Sequence, residues 1–257
     1  MTAEPPSPPP ADHFSGLARA YVEFRPRYPA ALFDWLAAQA PAREAAWDCA
    51  TGNGQAALEL AERFERVEAT DLSPSQLAEA ATHPRVRYSQ ASGEASGLAP
   101  RSVDLVTVAQ AAHWLDLSRF FAEVERVARP GALVAIWGYQ LLRTGDERLD
   151  SEIRTFFGET VGPYWPSGRE LLDAGYRGFE FPFPETACPG FTMTATWSFE
   201  AFGGYLSSWS AVDRYRKALS ADPVSPFLAQ VAPLWGERDR VRTVAWPLAL
   251  RAARLRA

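Results

Sequence analysis

Residues able to do chemistry gather first in Trp47-Asp48-Cys49-Ala50-Thr51-Gly52-Asn53-Gly54-Gln55, where a short apolar run meets a stretch of helical periodicity. A ligand over such a strand-to-helix turn meets free backbone N–H groups and the positive end of the helix. Gly52 and Gly54 allow backbone approach and turn geometry that a Cβ would obstruct, although the pair by itself also fits a tight turn with no ligand. The second element is Asp71, closing the next apolar run, Val67–Asp71. A carboxylate there can accept hydrogen bonds from both hydroxyls of a ribose lying across the strand ends. The competing reading is a helix cap, a role that suits Ser73, with Pro74 behind it, better than Asp71. The glycines also satisfy Gly-x-Gly-x-x-Ala through Ala57, so a nicotinamide dinucleotide is the rival cofactor. Two features oppose it. Asp48 precedes the loop, where an acid is costly beside a diphosphate and welcome beside a cationic amino-acid moiety. The third apolar run leads into Ser92-Gly93-Glu94-Ala95, a polar turn suited to an adenine edge, and no second dinucleotide half follows.

These groups need a frame that brings strand ends together. Apolar runs at Ala45–Cys49, Val67–Asp71, Val86–Ala91, Val103–Ala109 and Ala132–Gly138 alternate with helical patterns at Gln55–Phe64, Pro74–Ala81 and Leu117–Ala128. That alternation predicts an α/β fold, a Rossmann-like doubly wound and mostly parallel sheet covered on both faces. Arg129-Pro130-Gly131 reads as a helix stop. Residues 1–11 are Pro-rich and predict a disordered tail. Residues 12–257 read as a single domain: two helices over 12–39 with a junction broken at Arg25-Pro26-Arg27-Tyr28-Pro29, a core over about 40–138, and a helical, aromatic cap with edge strands over 139–257. Within the cap, Phe191–Thr196 and Arg242–Leu250 predict strands, and helices are expected at about Phe199–Lys217 and Pro226–Trp235.

Composition removes several function classes. A formal charge of −5 argues against gripping a nucleic-acid backbone through a broad basic surface. Cys49 and Cys188 lie too far apart in sequence to suggest a disulfide framework, and His13, His83 and His113 have no zinc-ligand spacing, so no metal is expected. The apolar runs are strand-sized, and no basic-then-apolar leader opens the chain, so the expectation is a cytoplasmic protein without membrane contact. A small molecule is the expected partner, with oligomeric state undetermined. Lys217 is the sole lysine. The preponderance of arginine therefore reads as compositional bias rather than an arginine-specific site.

In combination these residues resemble the class I S-adenosylmethionine-dependent methyltransferases with a type 11 domain, and more narrowly the branch that includes trans-aconitate methyltransferase. The motifs that carry the resemblance are Tyr21 with Arg25-Pro26-Arg27-Tyr28-Pro29, the Asp-x-Ala-x-Gly-x-Gly loop, Asp71, Ser92-Gly93-Glu94, Gln110-Ala111-Ala112-His113-Trp114, Arg129-Pro130-Gly131 and Trp209-Ser210-Ala211. The resemblance implies a seven-stranded sheet with one antiparallel edge strand. It also implies S-adenosylmethionine as cofactor, leaving as S-adenosylhomocysteine. The glycine loop with Asp48, Ala50, Gly52, Asn53, Gly54 and Gln55 would hold the methionine part, Asp71 the ribose, and Ser92 and Gly93 the adenine, with Leu72 and Glu94 also among the cofactor-binding residues. Gln110 would lie beside the methionyl amine, with Tyr21 and Arg25 closing over the cofactor. Ala50 stands where the first glycine is usual, and Ser92 where an acid is more usual. The implied reaction is in-line methyl transfer to a small-molecule acceptor, a carboxylate or hydroxyl oxygen. His113 is the candidate base for a hydroxyl or amine acceptor, while a carboxylate needs none. Trp114, Tyr139, Trp165 and Trp209 join His113 as candidate pocket residues. The alternatives are a nicotinamide-dependent oxidoreductase and a catalytically silent binding protein of the same fold.

Overall fold

The computed structural model describes residues 27–237 and 239–256. Tyr21, Arg25, the tail 1–11 and the first of the two N-terminal helices lie outside the described residues. The first described helix, α1 (Ala30–Gln39), buries Leu32, Phe33, Leu36 and Ala37 along one face. It stops because Ala40 precedes Pro41, which disfavours helical geometry, and Ala40 is extended at φ −69°, ψ 146°.

The core then alternates as expected: β1 (Ala45–Cys49), α2 (Gln55–Ala61), β2 (Arg66–Asp71), α3 (Pro74–Ala78), β3 (Val86–Gln90), β4 (Val103–Ala109), α4 (Leu117–Val127) and β5 (Ala128–Tyr139). The cap adds α5 (Glu147–Thr155), α6 (Arg169–Asp173), β6 (Glu185–Thr186), β7 (Thr192–Trp197), α7 (Phe199–Ser207), α8 (Ser210–Leu219), α9 (Val224–Trp235) and β8 (Arg242–Arg254).

The main path of the sheet runs β3-β2-β1-β4-β5-β8-β6, seven strands as the resemblance implied, with β7 pairing β8 as an eighth. β1 pairs with β2 and β4, β2 with β3, and β4 with β5, all parallel. The order reverses between β1 and β4, and that switch point opens the ligand crevice of doubly wound sheets. One expectation needs correction. The antiparallel strand is not at the edge: β8 lies between β5 and β6, antiparallel to both. β8 is long enough for two jobs. Leu248–Arg254 pairs with β5, while Arg242–Pro247 runs on and pairs with β7.

Both faces of the sheet are buried, and alternate residues go to opposite sides. On β5, Leu133, Ala135, Trp137 and Tyr139 join one core with α1, α2 and the cap. Ala132, Val134 and Ile136 join the other with Trp47 and the Phe120–Val127 face of α4. Trp137 meets Phe33 and Tyr28 edge-on, at 6.0 and 5.7 Å between ring centroids.

Two further expectations shift. Arg129-Pro130-Gly131 does not form a stop between α4 and the strand: α4 ends at Val127, Ala128 is already extended, and the three residues lie inside β5. Gly131 takes φ +77°, and Arg129 turns to the buried Asp104 at 3.0 Å and to Glu44 at 2.6 Å. The helix expected over about Phe199–Lys217 is broken at Ser208-Trp209. Trp209 is extended at φ −72°, ψ 134°, which places its ring among Phe156, Phe157, Trp165 and Tyr205. Among the described residues no helix is long and apolar enough to cross a membrane, and no cluster of His, Cys, Asp and Glu could hold a metal.

Candidate functional site

A cleft of about 410 Å³ opens at the carboxyl ends of the core strands and is walled on its far side by the cap. The β1–α2 loop forms its floor through left-handed residues: Ala50 at φ +53°, Gly52 at +58° and Gly54 at +86°. The two glycines differ in purpose. A Cβ on Gly54 would overlap the Tyr88 hydroxyl, so Gly54 is a packing glycine and does not line the cleft. At Gly52 a Cβ would meet nothing nearer than Gln76 Oε1 at 3.6 Å. Gly52 lines the cleft together with Ala50, Thr51, Asn53 and Gln55. Its glycine therefore answers to backbone geometry and to a ligand's approach.

Asp48 does not face the cleft. Trp47 and Cys49 point to one side of the sheet, so Asp48 points to the other, behind the loop and toward the first turn of α2. It is 1% exposed. Thr51 Oγ1 donates to its Oδ2 at 2.5 Å, and Thr107 Oγ1 donates to its Oδ1 at 2.8 Å. Burial pushes this carboxyl up to about 6, with the charge of Asp71 adding and the threonine hydrogen bonds opposing. Contact with the amino-acid moiety is thereby replaced by support of the loop.

Asp71 does line the cleft, and it also ties the site together. Its Oδ2 accepts from Gly52 N–H and its Oδ1 from Ser73 N–H, each at 2.8 Å. A carboxylate has about four lone-pair sites, so these bonds are compatible with further acceptance from ligand hydroxyls. Ser73 supplies the cap of α3, its Oγ accepting from Gln76 N–H at 3.4 Å. Leu72, 52% exposed, stands on the rim with Trp114.

In the polar turn, Gly93 and Glu94 line the cleft and Ser92 does not. Ser92 bridges back to Ala95. Gly93 is pressed between Cys49 Sγ and Leu115 Cδ2, each 2.8 Å from where a Cβ would stand. Gln110 lines the cleft in a left-handed conformation, φ +60°. Its N–H donates to Trp137 O at 2.7 Å and its Oε1 accepts from Tyr139 N–H at 2.8 Å, which locks the ends of β4 and β5 together.

On the cap side stand His113, Trp114, Tyr139, Trp165 and Trp209. His113 rides a single turn, Ala112–Trp114, its Nδ1 3.5 Å from the Tyr176 hydroxyl. Burial, reinforced by Arg169, lowers its pKa to about 4. His113 is thus neutral near pH 7 and far from the poise of a general base. Trp165 and Trp209 lie 5.5 Å apart, with Phe157 against both.

The sequence reading missed several lining residues, among them Phe157, Tyr205, Glu79 and Arg169. Arg169 had a signal, since it follows Gly168 just after the aromatic segment Tyr164-Trp165-Pro166. Treating arginine as compositional bias discarded it.

The donor set suits an adenosyl sulfonium better than a dinucleotide. Acids at Asp71, Glu79 and Glu94 border the cleft, and a pyrophosphate would be repelled by them. The volume lies within the range of small-ligand pockets. The methyltransferase-domain family matches residues 47–136, the stretch that builds the loop, Asp71, the polar turn and most of β5. A Dictyostelium discoideum protein named as a methyltransferase is 32% identical over 215 residues, spanning 82% of this chain and 81% of that protein. A Saccharomyces cerevisiae protein named as an S-adenosylmethionine-dependent methyltransferase is 33% identical over 128 residues, 46% of this chain and 44% of that protein. A solved structure from Anaeromyxobacter dehalogenans, assigned to type II methyltransferases, is 46% identical, covers 91% of this chain and all of its own, and superposes with a TM-score of 0.86. With the sheet order, the loop and Asp71 in place, the chain belongs to the class I S-adenosylmethionine-dependent methyltransferases.

Proposed function

We propose that this enzyme transfers a methyl group to a carboxylate or hydroxyl oxygen of a small organic acceptor. The observation that carries the reading is the continuity of one cleft with two unlike halves. One half is polar and glycine-floored, around Gly52, Asp71, Gly93 and Glu94; the other is aromatic, around Phe157, Trp165, Tyr205 and Trp209. Asp71 would hold the ribose hydroxyls, Ala50 to Gln55 the methionine part, and Gly93 with Glu94 the adenine. Bound S-adenosylmethionine supplies a methyl group on a sulfonium, open to in-line displacement by the acceptor. The residues of this chain contribute alignment and the exclusion of water rather than proton transfer. Orientation of this kind is worth up to about 7–11 kcal/mol in favourable systems, and the aromatic wall removes water that would compete with the acceptor. A neutral His113 leaves the acceptor side without a strong base, which favours an oxygen that is already anionic.

The test is incubation with methyl-labelled S-adenosylmethionine and a fractionated metabolite extract, alongside calorimetry with S-adenosylhomocysteine. The expected result is saturable S-adenosylhomocysteine binding and label in a small organic product. Tight binding with no labelled product in any fraction would identify a catalytically silent binding protein and end the proposal.

A further inference from the structure

We propose that Arg169 selects the acceptor, and that the acceptor is an organic acid whose carboxylate rests on this guanidinium while its apolar body fills the aromatic half of the cleft. The inference deepens the methyltransferase reading and rests on it. Among the described lining residues, the acidic and basic side chains besides His113 are Asp71, Glu79, Glu94 and Arg169. Asp71 ends β2, and Glu79 and Glu94 follow α3 and β3. The arginine stands on α6, which packs on the His113 turn. Arg169 is the cation among these lining residues, and an anionic group on the ligand is what it suits.

Arg169 is also enclosed in a way that a surface ion pair does not require. Its side chain is 18% exposed, and Cζ sits 3.9 Å from the centroid of the Trp165 ring and 5.1 Å from that of Phe157. Stacking on two rings fixes the plane of the guanidinium, and a fixed plane is what two-pronged recognition of a carboxylate uses. Asp173, one helical turn on, lies 3.3 Å from Nε and is 41% exposed. Arg169 nonetheless lines the cleft together with Phe157 and Trp165. Phe157 and Trp165 wall the cation, and Tyr205 and Trp209 continue the aromatic lining of the cleft, so the rest of the acceptor is apolar or aromatic.

The test uses the protein saturated with S-adenosylhomocysteine and two matched pairs of probes: 3-phenylpropanoate with 3-phenylpropanamide, and octanoate with octanamide, all by calorimetry. At least one acid should bind, and more tightly than its amide by about tenfold or more, the scale of a charge-assisted contact. Arg169→Gln should erase that preference, Arg169→Lys should restore part of it, and both variants should keep the wild-type affinity for S-adenosylhomocysteine and a cooperative thermal transition. Acids that bind no better than their amides, a preference that survives Arg169→Gln, or a loss of S-adenosylhomocysteine affinity matching the loss of acid would each overturn the assignment. A wild-type protein that takes up no S-adenosylhomocysteine would instead strike the methyltransferase reading beneath it.

Discussion

Asp48→Asn preserves the shape of a buried side chain and removes its titration, which makes it a sensitive probe of how the loop is supported. In the folded chain the carboxyl titrates at about 6, because desolvation outweighs the hydrogen bonds from Thr51 and Thr107; its ordinary value is 3.8. Between those values the folded state binds more protons than the unfolded state. The corresponding stability is full below the ordinary value and is lost as pH rises through the folded one. Linkage between the two values gives a loss of about 2 kcal/mol between pH 4.5 and 7.5. His113 acts with the opposite sign. Its pKa falls from 6.5 to about 4, so its contribution is present above the ordinary value and lost as pH drops toward the folded one. That contribution is common to both proteins and cancels when they are subtracted. Urea unfolding followed by tryptophan fluorescence, at a series of pH values, yields the unfolding free energy of wild type minus that of Asp48→Asn. This difference should fall by about 2 kcal/mol across the window. A difference that is flat or rises with pH would refute the buried position. A flat line is also what solvent would produce if Asp48 faced the cleft, so the experiment separates the geometry behind the loop from the expectation of ligand contact.

Ala50→Gly should raise stability by about 0.5–1 kcal/mol, since relief of left-handed strain exceeds glycine's added unfolded-state entropy; no gain in urea unfolding would show that φ +53° costs nothing here. Gly54→Ala should destabilise by about 1–3 kcal/mol through the clash with Tyr88. Tyr88→Phe in that background should recover part of the loss in a double-mutant cycle, and strict additivity would mean that the two residues do not collide. Asp71→Ala should weaken S-adenosylhomocysteine binding by about tenfold or more in calorimetry, and an unchanged affinity would place the ribose elsewhere.

The core of the fold was legible because its signals are local. β4 is a single apolar run bounded by Ser102 and Gln110, and β1 ends where the glycines begin, so strand limits followed from composition alone. The helix after β2 was marked by Ser73-Pro74, and Ser73 caps it. Long-range choices were less legible. Nothing in Arg242–Arg254 announces that one half will pair with β5 and the other with β7, because both partners reward the same alternation of side chains. The break at Ser208-Trp209 was equally hidden. Helix propensity would carry the chain through it, and only the aromatic cluster around Phe156 and Trp165 rewards an extended Trp209.

The site divides along the same line, for a physical reason. Gly52, Asp71, Gly93 and Gln110 sit at or just beyond strand ends, and strand ends are readable from sequence. Asp48 lies one residue inside that boundary, and a shift of one residue along a strand reverses the face on which a side chain emerges; the residue type was right for a ligand contact and the parity was wrong. Arg169 lies in α6, beyond the core, and reaches the cleft only because that helix packs on the His113 turn. Its setting joins the Phe157–Trp165 stretch to the His113 turn, which is distant in sequence, and no short-range pattern links those two. With the cofactor placed at the strand-end turns, as proposed, acceptor choice falls to segments positioned by tertiary packing. Substitutions that change acceptor preference while sparing cofactor affinity should therefore concentrate in the Phe156–Asp173 stretch and around Trp209 rather than in the glycine loop.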